Sequence, residues 1–439
     1  MEAIREYLLK VRRRVGKHDA LRYWGLMVGH NRCTVVSLLL LLGLSIPGLL
    51  LLPVHAGAPV PVAGTITTVF PDGQLVQPSS VAVDKAGNLY VADSGNYVVR
   101  KLDTHGKMSI VAGMEGRIEK YEKLSTEAKN QGKLDKRCTS TTGDFCKATE
   151  ALFTLPYGVA LDAKGNLYVS DSRASKIRKV DTNTGIITVY AGTGESGWDA
   201  TKLYNPEGMA FDAQGNLYVA DRKNNAIRKI TAPANPKRRG TITTVAGLGP
   251  EAAGCTPSAA VLPASDARLK EPQDVVVDDH GNIYIADTGC RKIRKIGTDG
   301  VMRTVVGSGH GHGGPPLAVP WNGPAKALEI NLGVPVGVNV DAAGNLYISD
   351  SGFGVVWFYE AATGQVRVLA GLPGPESAGH TICKEHTNDF GDGCPGTEAK
   401  LNQPYRVALD AQGNVYIPEH GGMDAPMPPF SIRVLHPAK

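Results

Sequence analysis

The residues best equipped for acid–base work stand side by side near the end of the chain, Glu419 and His420. A carboxylate beside an imidazole can hold or pass a proton, provided both reach one substrate atom. His310-Gly311-His312 offers two nitrogen ligands on a glycine-rich stretch, which a divalent cation could use if a third ligand approached. Six carboxylates recur within one phrase: Asp93, Asp171, Asp221, Asp287, Asp350 and Glu419. They could converge on a cation. The expected role is instead to cap the turn that follows, because an Asx-turn explains every copy at once. Five arginines recur seven or more residues further on (Arg100, Arg178, Arg228, Arg294, Arg433) and are expected to pair between neighbouring repeats. No H-E-x-x-H, G-x-S-x-G, P-loop or complete EF-hand loop accompanies these groups. No cofactor is therefore expected, a divalent cation stays possible, and no catalytic residue is assigned.

The elements that must position these groups come from a repeat. One phrase occurs six times: VAVDKAGNLYVADSGNYVVRKL from Val81, then variants from Val159, Met209, Val275, Val338 and Val407. Within the first copy, a short β-branched strand ends at Asp84. Asp84-x-x-Gly87-Asn88 is a tight turn in which Gly supplies φ > 0. Leu89 to Ala92 is a second strand, Val98 to Leu102 a third and Met108 to Ala112 a fourth. Four antiparallel strands make a blade that cannot bury both faces alone, so the blades must stack radially. The expected fold is all-β, a six-bladed β-propeller of four-stranded antiparallel blades. The sixth copy runs out after its third strand, Ile432 to Leu435. Gly64-Thr-Ile-Thr-Thr-Val-Phe70 nearly copies the fourth strand of blade three, Gly240 to Ala246. Residues 65–70 are therefore expected to complete blade six and close the ring.

Function should be sought where the repeats disagree. The turn residues Asp84, Asp162, Asp212, Asp278, Asp341 and Asp410 are spaced by 78, 50, 66, 63 and 69. The excess falls in the links between blades, roughly 114–154, 250–270, 308–333 and 372–402. In a propeller these links share one face with the turns between the second and third strands, so one face is decorated and the other plain. Insertions on one face of a repeat array commonly carry ligand contacts. The cysteines fit ordered links: Cys138 with Cys146 and Cys383 with Cys394 lie in parallel contexts, which leaves Cys255 with Cys290. Trp198 and Trp321 also sit in links and join Glu419 and His420 as candidates for the binding face.

The repeats resemble the NHL family over essentially all of residues 64–437. The resemblance rests on P-x-G-V-A-x-D, G-N-L-Y-V-A-D, I-R-K-I and the inter-blade G-D-G-x-P…A-x-L-x-x-P at Gly391 to Pro404. It implies a bacterial, exported propeller. It leaves function open, because propellers of this kind bind proteins, bind RNA, sense ligands outside a kinase or act as lyases.

The formal charge of +5 is a property of the leader. Residues 1–56 hold eight Lys/Arg against three acids, and the remainder carries 39 of each sign. A neutral body has no field to attract nucleic acid. Thr34 to Val54 carries no charge over 21 positions and follows a basic stretch. Residues 1–56 therefore read as a basic leader with a hydrophobic helix, either a signal peptide cleaved after Ala56 or a retained membrane anchor. Both place residues 57–439 outside the cytoplasm, periplasmic or secreted or anchored by residues 34–54. Six cysteines suit that compartment. The expected function is a monomeric binding scaffold for a protein or glycan. The alternative is a metal-dependent lyase or hydrolase in the central funnel.

Overall fold

The computed structural model describes residues 63–70, 74–115, 145–233, 238–309, 323–372, 383, 391–421 and 430–437. The expected leader, residues 1–56, lies outside them. Six antiparallel sheets follow one another around a ring. Blade one is Pro78–Val83, Leu89–Asp93, Val98–Leu102 and Met108–Ala112, innermost strand first. Blades two to five repeat this order with inner strands Pro156–Leu161, Pro206–Phe211, Asp274–Val277 and Pro335–Val340. The second strand (Leu-Tyr-Val-Ala-Asp or a close variant) is fully buried in blades one to five. It has a strand on each side and a blade against each face, so all its residues rather than alternate ones leave water.

The sixth blade is shared between distant parts of the chain, as the sequence copy requires. Ala63–Thr68 forms its outer strand, pairing Ile66 with Leu435 and Thr68 with Arg433 on Ser431–Pro437. Val415–Glu419 and the short Ala408–Leu409 complete it. Apolar residues of adjoining blades interlock around the whole ring. The last of these joints sets Phe70, Leu75, Val81 and Val91 against Ala408 and Ile432, so blade six packs on blade one.

The turns follow from local chemistry. Asp84 Oδ1 accepts the backbone N–H of Ala86 and of Asn88, both at 2.9 Å, and Gly87 sits at φ +88°. Asp162, Asp212, Asp278, Asp341 and Asp410 repeat this arrangement. The links do more than loop out. Cys146–Lys147, Leu262–Pro263 and Ala325–Lys326 each add a two-residue fifth strand to the outer edge of blades two, four and five. This covers an otherwise open sheet edge.

Candidate functional site

The recurring carboxylates are structural, in a way that differs from turn-capping alone. Asp287 Oδ1 accepts the backbone N–H of Lys270, in the link that precedes the blade, at 2.9 Å. Its Oδ2 accepts Arg294 Nε at 3.0 Å. Asp93 holds Val76 N–H and Arg100 Nε in the same way, both at 2.7 Å, and also takes Asn96 of the following turn at 2.8 Å. The expected inter-blade role of the arginines is therefore corrected: each lies within ion-pair distance of the carboxylate of its own blade, and Arg433 pairs more closely still with Asp392 of the preceding link, at 2.8 Å. The reason is register, since antiparallel pairing brings the third strand back beside the end of the second. In blade five, where tryptophan replaces arginine, Trp357 Nε1 donates to Asp350 Oδ2 at 3.2 Å. Burial pushes Asp221 and Asp287 up to about 6 against these hydrogen bonds and charges. The row is spread around the ring as separate staples, and among the described residues no three His, Cys, Asp or Glu side chains form a metal-ligand set.

A second polar row lines the channel. Each inner strand opens on Pro-x-x-Val or a close variant. The first variable position holds Ser79, Tyr157, Glu207, Gln273, Val336 and Tyr405. The second holds Ser80, Gly158, Gly208, Asp274, Gly337 and Arg406. Tyr157 of blade two meets Tyr405 of blade six edge-on, with ring centroids 6.2 Å apart. Arg406 of blade six pairs with Asp274 of blade four at 2.5 Å. Neither pair of blades is adjacent, so both contacts reach past an intervening blade. A Cβ added at Gly158 would lie 2.6 Å from Arg406 Nη1 and 2.3 Å from the Glu207 carbonyl oxygen, which places blades two, three and six at one point. The buried Arg406–Asp274 pair thus links blades four and six at the inner strands, and Tyr157 and Glu207 are buried there too.

Charged groups of blades three and four form the rim. Arg222 Nη1 donates to Glu207 Oε1 and its Nη2 to Glu271 Oε2, both at 2.9 Å. Lys223 Nζ reaches Glu271 Oε1 at 2.6 Å. Glu207 is 2% exposed, and its Oε2 has no hydrogen-bond partner. Neither do Gln273 Oε1, Arg222 Nε, nor Nε and Nη1 of Arg406. Burial pushes the Glu207 carboxyl up to about 7, with Arg222 and Arg406 pulling the other way. Burial also raises the Tyr157 phenol, with Glu207 adding to the effect, and lowers His420. Unpartnered polar atoms at this depth are rare in folded proteins and call for a ligand or water.

Glu419 and His420 part company in the structure. Glu419 belongs to the structural row: it takes Asn402 N–H at 2.8 Å, the Ser431 hydroxyl at 2.6 Å and, more loosely, Arg433 at 3.9 Å. His420 turns to the channel and stacks on Tyr405, 4.4 Å between ring centres at 17°. Trp198 is 39% exposed on the blade-three link, with the Arg228 guanidinium 4.6 Å from its ring centre and its other contacts against Gly249. Cys255 and Cys290 are bonded (S–S 2.11 Å), as are Cys383 and Cys394 (1.97 Å). The first bond ties a link to a turn between second and third strands, so the two do share a face. Cys146 is also disulfide-bonded. Cys138, His310, His312 and Trp321 lie outside the described residues. Sequence reasoning missed Tyr157, Glu207, Gln273, Asp274 and Arg406. The signal was present: lining up the six Pro-x-x-Val openings shows Gly three times and Ser, Asp and Arg once each.

Two stretches, residues 75–102 and 203–230, match the NHL repeat model, and residues 255–374 match the teneurin NHL domain model. With six blades of this repeat, the chain is an NHL-repeat six-bladed β-propeller. It is 31% identical over 131 residues to NHL repeat-containing protein 2 of Gallus gallus, covering 29% of this chain and 14% of that protein. It is 27% identical over 157 residues to teneurin-m of Drosophila melanogaster, covering 36% of this chain and 5% of that protein. The chain thus matches only a small part of these relatives. A solved protein of unknown function from Bacteroides thetaiotaomicron shares the fold at a TM-score of 0.52 and 17% identity, covering 85% of this chain and 76% of that one.

Proposed function

We propose that this NHL-repeat propeller is an extracytoplasmic binding scaffold, which holds a protein or glycan on the link-bearing face. The observation that carries the reading is the build of that face. The described parts of the links are pinned to it by disulfides, by the Asp row and by short edge strands. Ordered links present Trp198 and Tyr204, about two-fifths exposed, beside the apolar Leu248. Aromatic side chains held rigid at a surface supply contact area with little entropy left to lose. The opposite face carries the short Asp-x-x-Gly-Asn turns, which are polar and alike, beside the hairpins between third and fourth strands. Disulfides persist in oxidising compartments, which supports a location outside the cytoplasm.

A photo-crosslinking residue tests this. Placed at Trp198 or Tyr204, it should capture a partner in the protein's own compartment. Placed at Ala163 or Ala343, on the turns of the opposite face, it should capture none. Equal capture from both faces would sink the proposal.

A further inference from the structure

Resting on the reading of this protein as a scaffold for a protein partner, we infer that the outer edge of blade three, Thr241–Ala246, is a docking site for an extended segment of that partner, which adds to the blade as a fifth strand. The segment carries Ala or Gly directly after its paired residues and Asp or Glu two places further on.

The chain fills this edge for itself in four other blades. Cys146–Lys147 lies along the outer strand of blade two, Leu262–Pro263 along that of blade four and Ala325–Lys326 along that of blade five. In blade six Pro395 bridges to Thr65, and Ile66 N–H donates to the Cys394 carbonyl at 3.0 Å. All four segments continue in one way: a small residue (Ala148, Ala264, Ala327 or Gly396), any residue, then Glu or Asp. The small residue is buried each time. In three blades its N–H donates to the carbonyl of the hairpin glycine that opens the outer strand: Ala148 to Gly185 at 2.8 Å, Ala264 to Gly300 at 3.0 Å and Ala327 to Gly364 at 3.1 Å.

Blade three has the same edge and no such segment. Gly240 to Val245 repeats the sequence Gly64 to Val69. The link before the blade, between Ala191 and Pro206, is shorter than those before blades two, four and five and sends no strand back to the edge. The consequence is exposure. Ile242 turns into the core, but Thr241, Thr243 and Thr244 are exposed. Val189, Thr304 and Val368, which stand where Thr244 stands, are only 7%, 8% and 6% exposed. Blade one also has four strands, but of its outer strand only Ser109 is exposed.

The outward backbone groups of this edge are unspent on residues that solvent reaches. In blade six the equivalent of Thr244 N–H, that of Thr68, points away from the sheet and donates to Asp392 Oδ2 at 3.1 Å. Thr244 N–H has no such partner among the described residues, and neither has the carbonyl of the partly exposed Gly240, which stands in the place of Gly185, Gly300 and Gly364. An unpaired edge is a template for a further strand, and this one carries no Lys or Pro to deter pairing. Main-chain bonds then supply affinity and alternate side chains specificity. The strand also runs into the exposed patch of the link-bearing face: Leu248 follows it at 43% exposed, and Trp198 packs on Gly249.

The probe is a fluorescent peptide copying residues 259–266, Ala-Ala-Val-Leu-Pro-Ala-Ser-Asp, the chain's own occupant of blade four. On the full-length chain, a photo-crosslinking residue at Thr243 should capture it. One at Arg303, on the edge that Leu262–Pro263 already fills, should not. Affinity by fluorescence anisotropy should fall about tenfold in Thr244→Pro, which removes the outward N–H where an edge strand tolerates proline. It should fall about as much for a peptide N-methylated at the alanine after its proline, which cannot donate to Gly240. If Thr244→Pro does not fold, the methylated peptide decides alone. No capture at Thr243, equal capture at Arg303 or unchanged affinity would overturn the inference. So would crosslinks at Thr243 between two copies of the chain, which would make the occupant a second copy. Failure here with a partner still captured at Trp198 leaves the scaffold reading standing. Peptide capture at Thr243 with nothing captured at Trp198 would remove the link-face reading and keep this edge.

Discussion

Asp287 and Glu207 are both buried carboxylates beside an arginine, yet they are built to opposite ends. Asp287 has a partner on each oxygen, a link N–H on one and Arg294 on the other. Glu207 has Arg222 on one oxygen and nothing on the other. The first arrangement recurs around the ring and fastens each link to its blade. The second is seen in blade three, at the start of its inner strand. A buried charge whose partners are all supplied by the protein is frame; one left half-served has capacity for something else.

The largest effect should come from breaking the ring that holds both rows. Removal of residues 57–70 takes away the outer strand of blade six, and cooperative melting should be lost. Unchanged melting would refute the closure. Next, Asp287→Ala should destabilise by about 3–5 kcal/mol in denaturant titration, since it strands Arg294 in the interior. A loss well under that would mean that the row is dispensable and the contrast with Glu207 false. The double change Cys255→Ser with Cys290→Ser should cost about 2–4 kcal/mol by freeing the link that the Asp row also holds. If the link is held by Asp287 alone, the measured loss will be near zero.

The smallest effect separates the two carboxylates by pH. Burial raises Glu207 in the folded protein from 4.5 to about 7. A carboxyl raised on folding binds its proton more tightly in the native state. Its favourable contribution is thus present below the unfolded value and lost as pH rises through the folded value. The wild-type protein should therefore lose melting temperature between about pH 5 and about pH 8, and Glu207→Gln should lose less of it. An equal or steeper decline in the variant would show Glu207 to be an ordinary ion-pair acid. Asp221 and Asp287, raised to about 6, contribute in the same direction in both proteins.

The legible parts of the molecule were local or repeated. Asp84 to Asn88 is a turn because its side chain bonds its own backbone, and six copies of it announce six blades. The copy of Gly240–Ala246 at Gly64–Phe70 announced the closing strand. Pairing of Cys255 with Cys290 was legible by elimination. The arginine row misled because recurrence shows that a residue has a job without showing its partner. Antiparallel register chose the carboxylate of the same blade. Glu419 and His420 misled for a related reason: the strand ends at Glu419, and of the two neighbours one entered the frame and the other turned to Tyr405.

By itself the sequence determined the blade, its turns, the number of blades and the shared sixth, because each depends on hydrogen bonds and packing within a short stretch or on a visible copy. Only the tertiary structure decided the site. Gly158, Asp274 and Arg406 occupy equivalent places in different repeats and Glu207 the place before, and nothing in their local context distinguishes a pair between non-adjacent blades from a blade's own spacing. They meet because the ring closes, which brings non-adjacent blades within reach of one side chain and withdraws the water that would otherwise have served their charges.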